Sequence, residues 1–173
     1  MITILSGTNR TGNKSIIIAQ EYLKLFAAAG IEAQLYDLQT LPADFSSAWT
    51  RDKQSPDFQK QVETFFRGID KMLLVVPEYQ GTFPGILKLV FDAVHPNDLK
   101  GKKVAMVGLG AGRAGNLRGM DHLSGAFHYL GITVYSNLLP ISKVNDVIDQ
   151  QGVLHDAATI AAIQKQAEGF ANF

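Results

Sequence analysis

The side chains best suited to chemistry fall in three short stretches: SGTNRTGNKS (6–15), PEYQGTFPG (77–85) and GLGAGRAGN (108–116). The first brings together the hydroxyls of Thr8 and Ser15, the amide of Asn13 and the guanidinium of Arg10. Such groups donate hydrogen bonds to an anion, and Arg10 offers the planar fork that matches a phosphate. The stretch fits neither G-x-x-x-x-G-K-[ST] nor G-x-G-x-x-G. A helix cap by Asn13 or Ser15, with a solvated Arg10, accounts for the same residues equally well. The second stretch offers a flat aromatic, Tyr79, and backbone amides around Gly81 that can donate to the edge of a planar heterocycle. Its plainer reading is a strand stopped at Pro77 and a helix started at Pro84; the density of special residues favours the ligand. The third stretch has glycines at 108, 110, 112 and 115 around Arg113. Without side chains it makes a wall that can lie close to a ring, or else a flexible crossover.

Other chemistries find little support. There are no cysteines, so thiolate nucleophiles, disulfides and Cys-ligated metals are excluded. His122 and His128 stand off one another's face on a helix and are not a metal pair. His95 reads as a turn residue and His155 as an exposed one. Glu78 is a single acid without an acidic partner, so paired-carboxylate hydrolysis is not indicated. No side chain is assigned a catalytic role, and no metal is expected. Trp49 is a candidate lid or interface residue.

The elements that must position these stretches alternate. ITILS (2–6), EAQLYDL (32–38), KMLLVVP (71–77), KKVAMVGLG (102–110) and ITVYSNLL (132–139) read as strands. Between them, Ile16, Ala19, Leu23 and Phe26, then Phe58, Val62, Phe65 and Ile69, then Leu117, Met120, Phe127 and Leu130 recur at helical spacing. PGILKLVFDAV (84–94) opens a helix with proline in its first turn, and 156–171 is an Ala-rich helix. Residues 40–57 are polar and aperiodic and read as a long loop. Such alternation implies a parallel sheet with helices on both faces. Parallel strands point their C-termini one way, so the three stretches share one edge. Ligands of open parallel sheets bind at that edge. A phosphate at one loop and a flat ring at the other two describe a mononucleotide, and FMN suits a five-stranded sheet of this size.

Composition agrees. The chain of 173 residues suits one domain spanning 1–173. Lys plus Arg and Asp plus Glu number 16 each, which argues against nucleic acid as the main partner. No apolar run approaches the roughly 20 residues of a membrane helix, and MITILSGTNR lacks the pattern of a signal peptide. The expectation is a soluble cytoplasmic protein without a membrane partner.

The sequence resembles the NADPH-dependent FMN reductase family, a flavodoxin-like group that includes quinone, chromate and azo-dye reductases. The resemblance covers nearly the whole chain. Its most specific parts are the first loop and PEYQGTFPGILKLVFD (77–92), close to the family's P-E-Y-N-x-[SG]-x-P-x-x-L-K-N-x-x-D. It implies an α/β, flavodoxin-like three-layer α/β/α sandwich with a five-stranded parallel sheet in the order 2-1-3-4-5. It implies that Thr8, Arg10, Asn13 and Ser15, with Lys14, hold the FMN phosphate. Pro77, Glu78, Tyr79, Gln80 and Gly81 would border the ribityl chain and isoalloxazine. Gly110, Ala111, Gly112 and Arg113 would form the opposite side of the ring site. NADPH or NADH would reduce the flavin, which would pass electrons to a small-molecule acceptor in ping-pong fashion, and the chain would form a homodimer or homotetramer. Gln80 and Leu89 stand where the family pattern has Asn, and Ala111–Gly112 where a Gly–Gly pair is common. A flavodoxin-type electron carrier and a phosphate-binding protein without redox chemistry are the alternatives.

Overall fold

Continuous apolar runs become central strands because both faces of a parallel sheet are covered by helices. The computed structural model describes residues 1–45 and 54–173, so Trp49 lies outside the described residues. Strands β1 (Ile2–Ser6), β2 (Ala33–Asp37), β3 (Lys71–Pro77) and β4 (Lys103–Leu109) are all parallel. With β5 at Thr133–Val134, the strand order is β2-β1-β3-β4-β5, as expected for a flavodoxin-like sheet. Side chains alternate between two cores, as the strand period of two requires. Leu73 and Val75 of β3 face helices α1 (Ser15–Ala28) and α6 (Ala157–Asn172). Met72, Leu74 and Val76 face α2 (Pro56–Phe65), α3 (Gly85–Ala93) and α4 (Leu117–Tyr129). The result is a three-layer sandwich with each strand's C-terminal end on the same edge.

The fifth strand differs from its reading as one run over 132–139. It is two short pieces, β5 (Thr133–Val134) and β6 (Leu139–Ile141), both parallel to β4. Ser136 and Asn137 lie between them and are poor strand formers. Pro140 is tolerated because β6 is an edge strand, where its missing N–H costs no ladder bond. The interruption would strand buried carbonyls, and Gln166 of α6 takes them up. Its Nε2 donates to Met106 O at 3.1 Å and to Asn137 O at 2.6 Å. Its Oε1 accepts from the Tyr22 hydroxyl at 2.5 Å. A side chain therefore substitutes for strand pairing at the break. A four-residue helix, α5 (Val144–Val147), follows β6.

Burial raises the pKa of both Tyr22 and Tyr36 above the ordinary tyrosine range. The folded chain keeps these two protons to higher pH than the unfolded chain, whose tyrosines titrate near ~10. Their contribution is complete below pH ~10 and is lost as pH rises beyond it. Stability is expected to fall there by about 1.4 kcal/mol per pH unit for each tyrosine. Tyr36→Phe should remove roughly half of that slope; urea unfolding from pH 9 to 12 measures it, and an unchanged slope refutes the assignment.

Candidate functional site

Loop 1 runs from the end of β1 into α1. Lys14 holds the cap position with no side-chain bond to the helix, and Asn13, one residue earlier, takes over that task. Its Oδ1 accepts from the Ile16 amide at 3.1 Å while its Nδ2 donates to Arg10 O at 2.8 Å. Asn13, not Ser15, is thus the capping side chain. The Ser15 hydroxyl is fully buried in the first turn of α1 and has no hydrogen-bond partner. Buried hydroxyls are rarely left so, and this one sits where helix amides and dipole favour an anion. Lys14 Nζ reaches Ile148 O at 3.4 Å. Among the described residues Arg10, Arg113 and Arg118 are in no ion pair, whereas Arg67, far from this edge, pairs with Glu63 and Asp98.

Loop 2 leaves β3 at Pro77. Tyr79 and Thr82 exchange backbone hydrogen bonds, Tyr79 N to Thr82 O at 2.8 Å and Thr82 N to Tyr79 O at 3.1 Å. Between them Gln80 has φ 50° and Gly81 φ 77°. Two positive φ values across a two-residue connection make a type I′ turn, for which Asn-Gly is the favoured pair. Asn is a residue that this turn favours at position 80. Gln80→Asn is expected to stabilise the chain by about 0.5 kcal/mol, because Asn adopts the left-handed region at lower cost. Thermal unfolding of the variant checks the sign.

Gly81 also carries α4: a Cβ there would stand 2.9 Å from the Arg118 guanidinium. The Thr82 hydroxyl meets His122 Nδ1 at 2.8 Å. The Tyr79 hydroxyl lies 2.9 Å from Thr8 Oγ1, tying loop 2 to loop 1. Tyr79 is a clamp as well as a flat face.

Loop 3 follows β4. It is laced to the chain after β6, and is no loose crossover. Gly110 N donates to Ile141 O at 3.0 Å, Val144 N to Gly110 O at 3.0 Å and Lys143 N to Gly112 O at 2.9 Å. The Ser142 hydroxyl donates to Arg113 O at 2.5 Å. Gly110 is closely surrounded: a Cβ there would stand 3.0 Å from the Glu78 carboxylate and 3.1 Å from Gly115 Cα and N.

These loops enclose a cleft of about 300 Å³ on the C-terminal edge of the sheet. Of the residues singled out in the sequence, Arg10, Asn13, Lys14, Ser15, Pro77, Glu78, Tyr79 and Ala111 line it. Thr8 lies behind Tyr79, and Gly110 lies against Glu78. Gln80, Gly81, Gly112 and Arg113 are outside the lining and shape the loops instead. Leu109, Val144 and Asn145 also line the cleft and were not expected. The last two follow the fifth strand, whose C-terminal end lies on the same edge; the rule that marked the other three loops marks this one too.

The profile of the NADPH-dependent FMN reductase family matches residues 1–146. The chain belongs to that family. It is similar to the NAD(P)H-dependent FMN reductase PA1204 of Pseudomonas aeruginosa, 29% identical over 171 residues, 95% of this chain and 89% of the relative. Among solved structures, FerB, a flavoenzyme NAD(P)H:(acceptor) oxidoreductase from Paracoccus denitrificans, superposes with a TM-score of 0.77 at 21% identity, over 99% of this chain and 94% of that one. A flavodoxin from the domain Archaea superposes less closely, with a TM-score of 0.62 at 10% identity over 99% and 97% of the chains. As a member of this family the chain is an FMN-dependent NAD(P)H oxidoreductase.

The cleft fits FMN. The orphaned Ser15 hydroxyl, the positive N-terminal end of α1 and Arg10, which is in no ion pair among the described residues, suit a dianionic phosphate. Across the cleft the wall of Pro77, Glu78, Tyr79 and Ala111 is part aromatic and part bare backbone. No helix among the described residues is long and apolar enough to cross a membrane.

Proposed function

We propose that the chain holds FMN phosphate with Arg10, Ser15 and the amides of loop 1, and that loops 2 and 3 orient the ring. In this reading it reduces a small acceptor, a quinone or a free flavin, at the expense of NAD(P)H. The bound flavin supplies the hydride chemistry. The protein's part is placement. The Tyr79–Thr8 contact sets the distance between the phosphate loop and the ring loop. The lacing of loop 3 to residues 141–144 keeps the opposite wall in register. The observation that carries the reading is the buried, unpartnered Ser15 hydroxyl at the anion-binding end of a cleft whose other walls come from loops 2 and 3.

The same reading makes the chain a cytoplasmic homodimer or homotetramer. A groove of about 410 Å³ between α3 and α4 supports self-association. Phe91 and Leu123 line it beside Tyr129, which is 92% exposed. Leu89, at the other departure from the family pattern, packs half-buried on the core.

An anaerobic absorbance titration tests the function. The purified chain, supplied with FMN, should lose its flavin absorbance on addition of NADPH or NADH and regain it with a quinone. Bound flavin that stays oxidised with both nucleotides would make the chain a carrier, and no flavin binding would overturn the assignment of the cleft.

A further inference from the structure

We propose that Glu78 is the proton donor to the acceptor during its reduction, a role that rests on the reductase reading above. Glu78 is the sole carboxylate among the described residues lining the cleft; the other titratable or charged groups there are Arg10, Lys14 and Tyr79. Its backbone is pinned, with Glu78 N donating to Leu109 O at 2.7 Å. Its carboxylate rests on the bare backbone of Gly110, where a Cβ would stand 3.0 Å from Oε2. The acid therefore bridges loops 2 and 3, whose residues form one wall of the cleft.

Glu78 is half-buried and is in no ion pair among the described residues, although two cations share its cleft. A half-buried carboxylate that faces a ligand cleft without a protein countercharge is available to what binds there. Arg10 is accounted for by the phosphate, Lys14 Nζ reaches Ile148 O, and the Tyr79 hydroxyl is engaged with Thr8. Glu78 is the acid left without a task.

The reaction has a task for it. Reduction of a quinone to a hydroquinone takes two electrons and two protons. NAD(P)H delivers a hydride, two electrons and one proton, and leaves as NAD(P)⁺. The second proton comes from solvent, and an acid beside the acceptor speeds its delivery. The Glu78 carboxyl passes it on: a solvent proton taken up by the carboxylate forms the carboxyl O–H bond, which breaks as an O–H bond forms on one quinone oxygen. NAD(P)H, one proton and the quinone become NAD(P)⁺ and the hydroquinone. A positioned acid of this kind contributes roughly 10²–10⁴-fold to the step it serves.

The test compares acceptors that differ in proton demand. Reduced, FMN-loaded wild type, Glu78→Gln and Glu78→Asp are mixed with benzoquinone or with ferricyanide, which takes electrons and no proton. Reoxidation is followed by stopped flow, and FMN affinity is measured separately by fluorescence titration of each apo chain. Glu78→Gln is expected to slow the quinone step about 100-fold. At saturating FMN its ferricyanide step should slow far less than its quinone step, so that the ratio of the two rates falls, and Glu78→Asp should recover part of the quinone rate. Equal slowing with both acceptors, or a matching loss of FMN affinity, would make Glu78 a cofactor-positioning residue and overturn the proposal. No slowing with either acceptor overturns it as well. A wild-type chain that binds FMN but is never reduced by NADPH or NADH would overturn the reductase reading and the proposal with it.

Discussion

Replacing Arg10 and Ser15 together by alanine is expected to weaken FMN binding about 100-fold and leave the stability of the apo chain unchanged. A hydrogen bond to a charged group contributes roughly 1.5–3 kcal/mol, and a neutral hydroxyl about 1 kcal/mol. Their sum is near two decades of affinity at about 1.4 kcal/mol per decade. The second half of the expectation follows from what the two side chains do without ligand. Arg10 is exposed and in no ion pair among the described residues, and the Ser15 hydroxyl has no partner to lose. Removing a buried, unpartnered hydroxyl costs the fold nothing and can stabilise it. Fluorescence titration with FMN and thermal unfolding of the apo chain measure the two parts. An unchanged affinity would remove loop 1 from the phosphate site; a large loss of apo stability would mean that Ser15 is structural.

Gly108→Ala should destabilise the chain by about 3 kcal/mol or more, a lowering of Tm by roughly 6–12 °C for a chain of this size. The added Cβ would stand 2.2 Å from Gly115 O, 2.9 Å from Met120 Cε and 3.1 Å from Asn116 Cβ. The first of these is backbone, which cannot swing aside. Gly115 is itself wedged, with φ +55° and its own Cβ position 2.7 Å from Pro140 and 2.9 Å from Ile141 N. The Asn116 side chain is locked by its donation to Val76 O at 3.0 Å. Relief would therefore have to move loop 3 as a body, and FMN affinity should fall with stability. Gly125→Ala is the control. It lies within α4 with no atom near its Cβ position, so it should gain about 1 kcal/mol. Calorimetry of the two variants separates a steric clash from a general intolerance of substitution.

Three of the stretches that build the cleft are visible in the sequence because their residue types are expensive elsewhere. A strand that ends in Pro-Glu-Tyr-Gln-Gly, and another that ends in alternating glycines, forgo the side chains that would stabilise an ordinary turn. Hydrophobic runs fixed the strands, helical spacing fixed the helices, and parallel direction placed the loops on one edge, since each of these follows from local periodicity. What each residue does inside a loop was not visible. Glycine-rich sequence looks equally like a ring wall and a flexible crossover. Only the hydrogen bonds from Ser142, Lys143 and Val144 show loop 3 to be held, and they come from about thirty residues further along the chain.

The sequence by itself determined the family, the parallel α/β architecture and the edge at which a ligand binds, because composition and short-range pattern carry that information. The tertiary structure alone decided that Asn13 rather than Ser15 caps α1, which leaves a buried hydroxyl for a ligand. It alone showed that the fifth strand breaks and is patched by Gln166, that Tyr79 ties two loops together, and that Glu78 shares its space with Gly110. The cap is a local choice between two neighbouring side chains that the sequence leaves open. The other three share one reason: a hydrogen bond or a close approach between residues far apart in sequence depends on where the whole fold delivers them, and no local spacing encodes that distance.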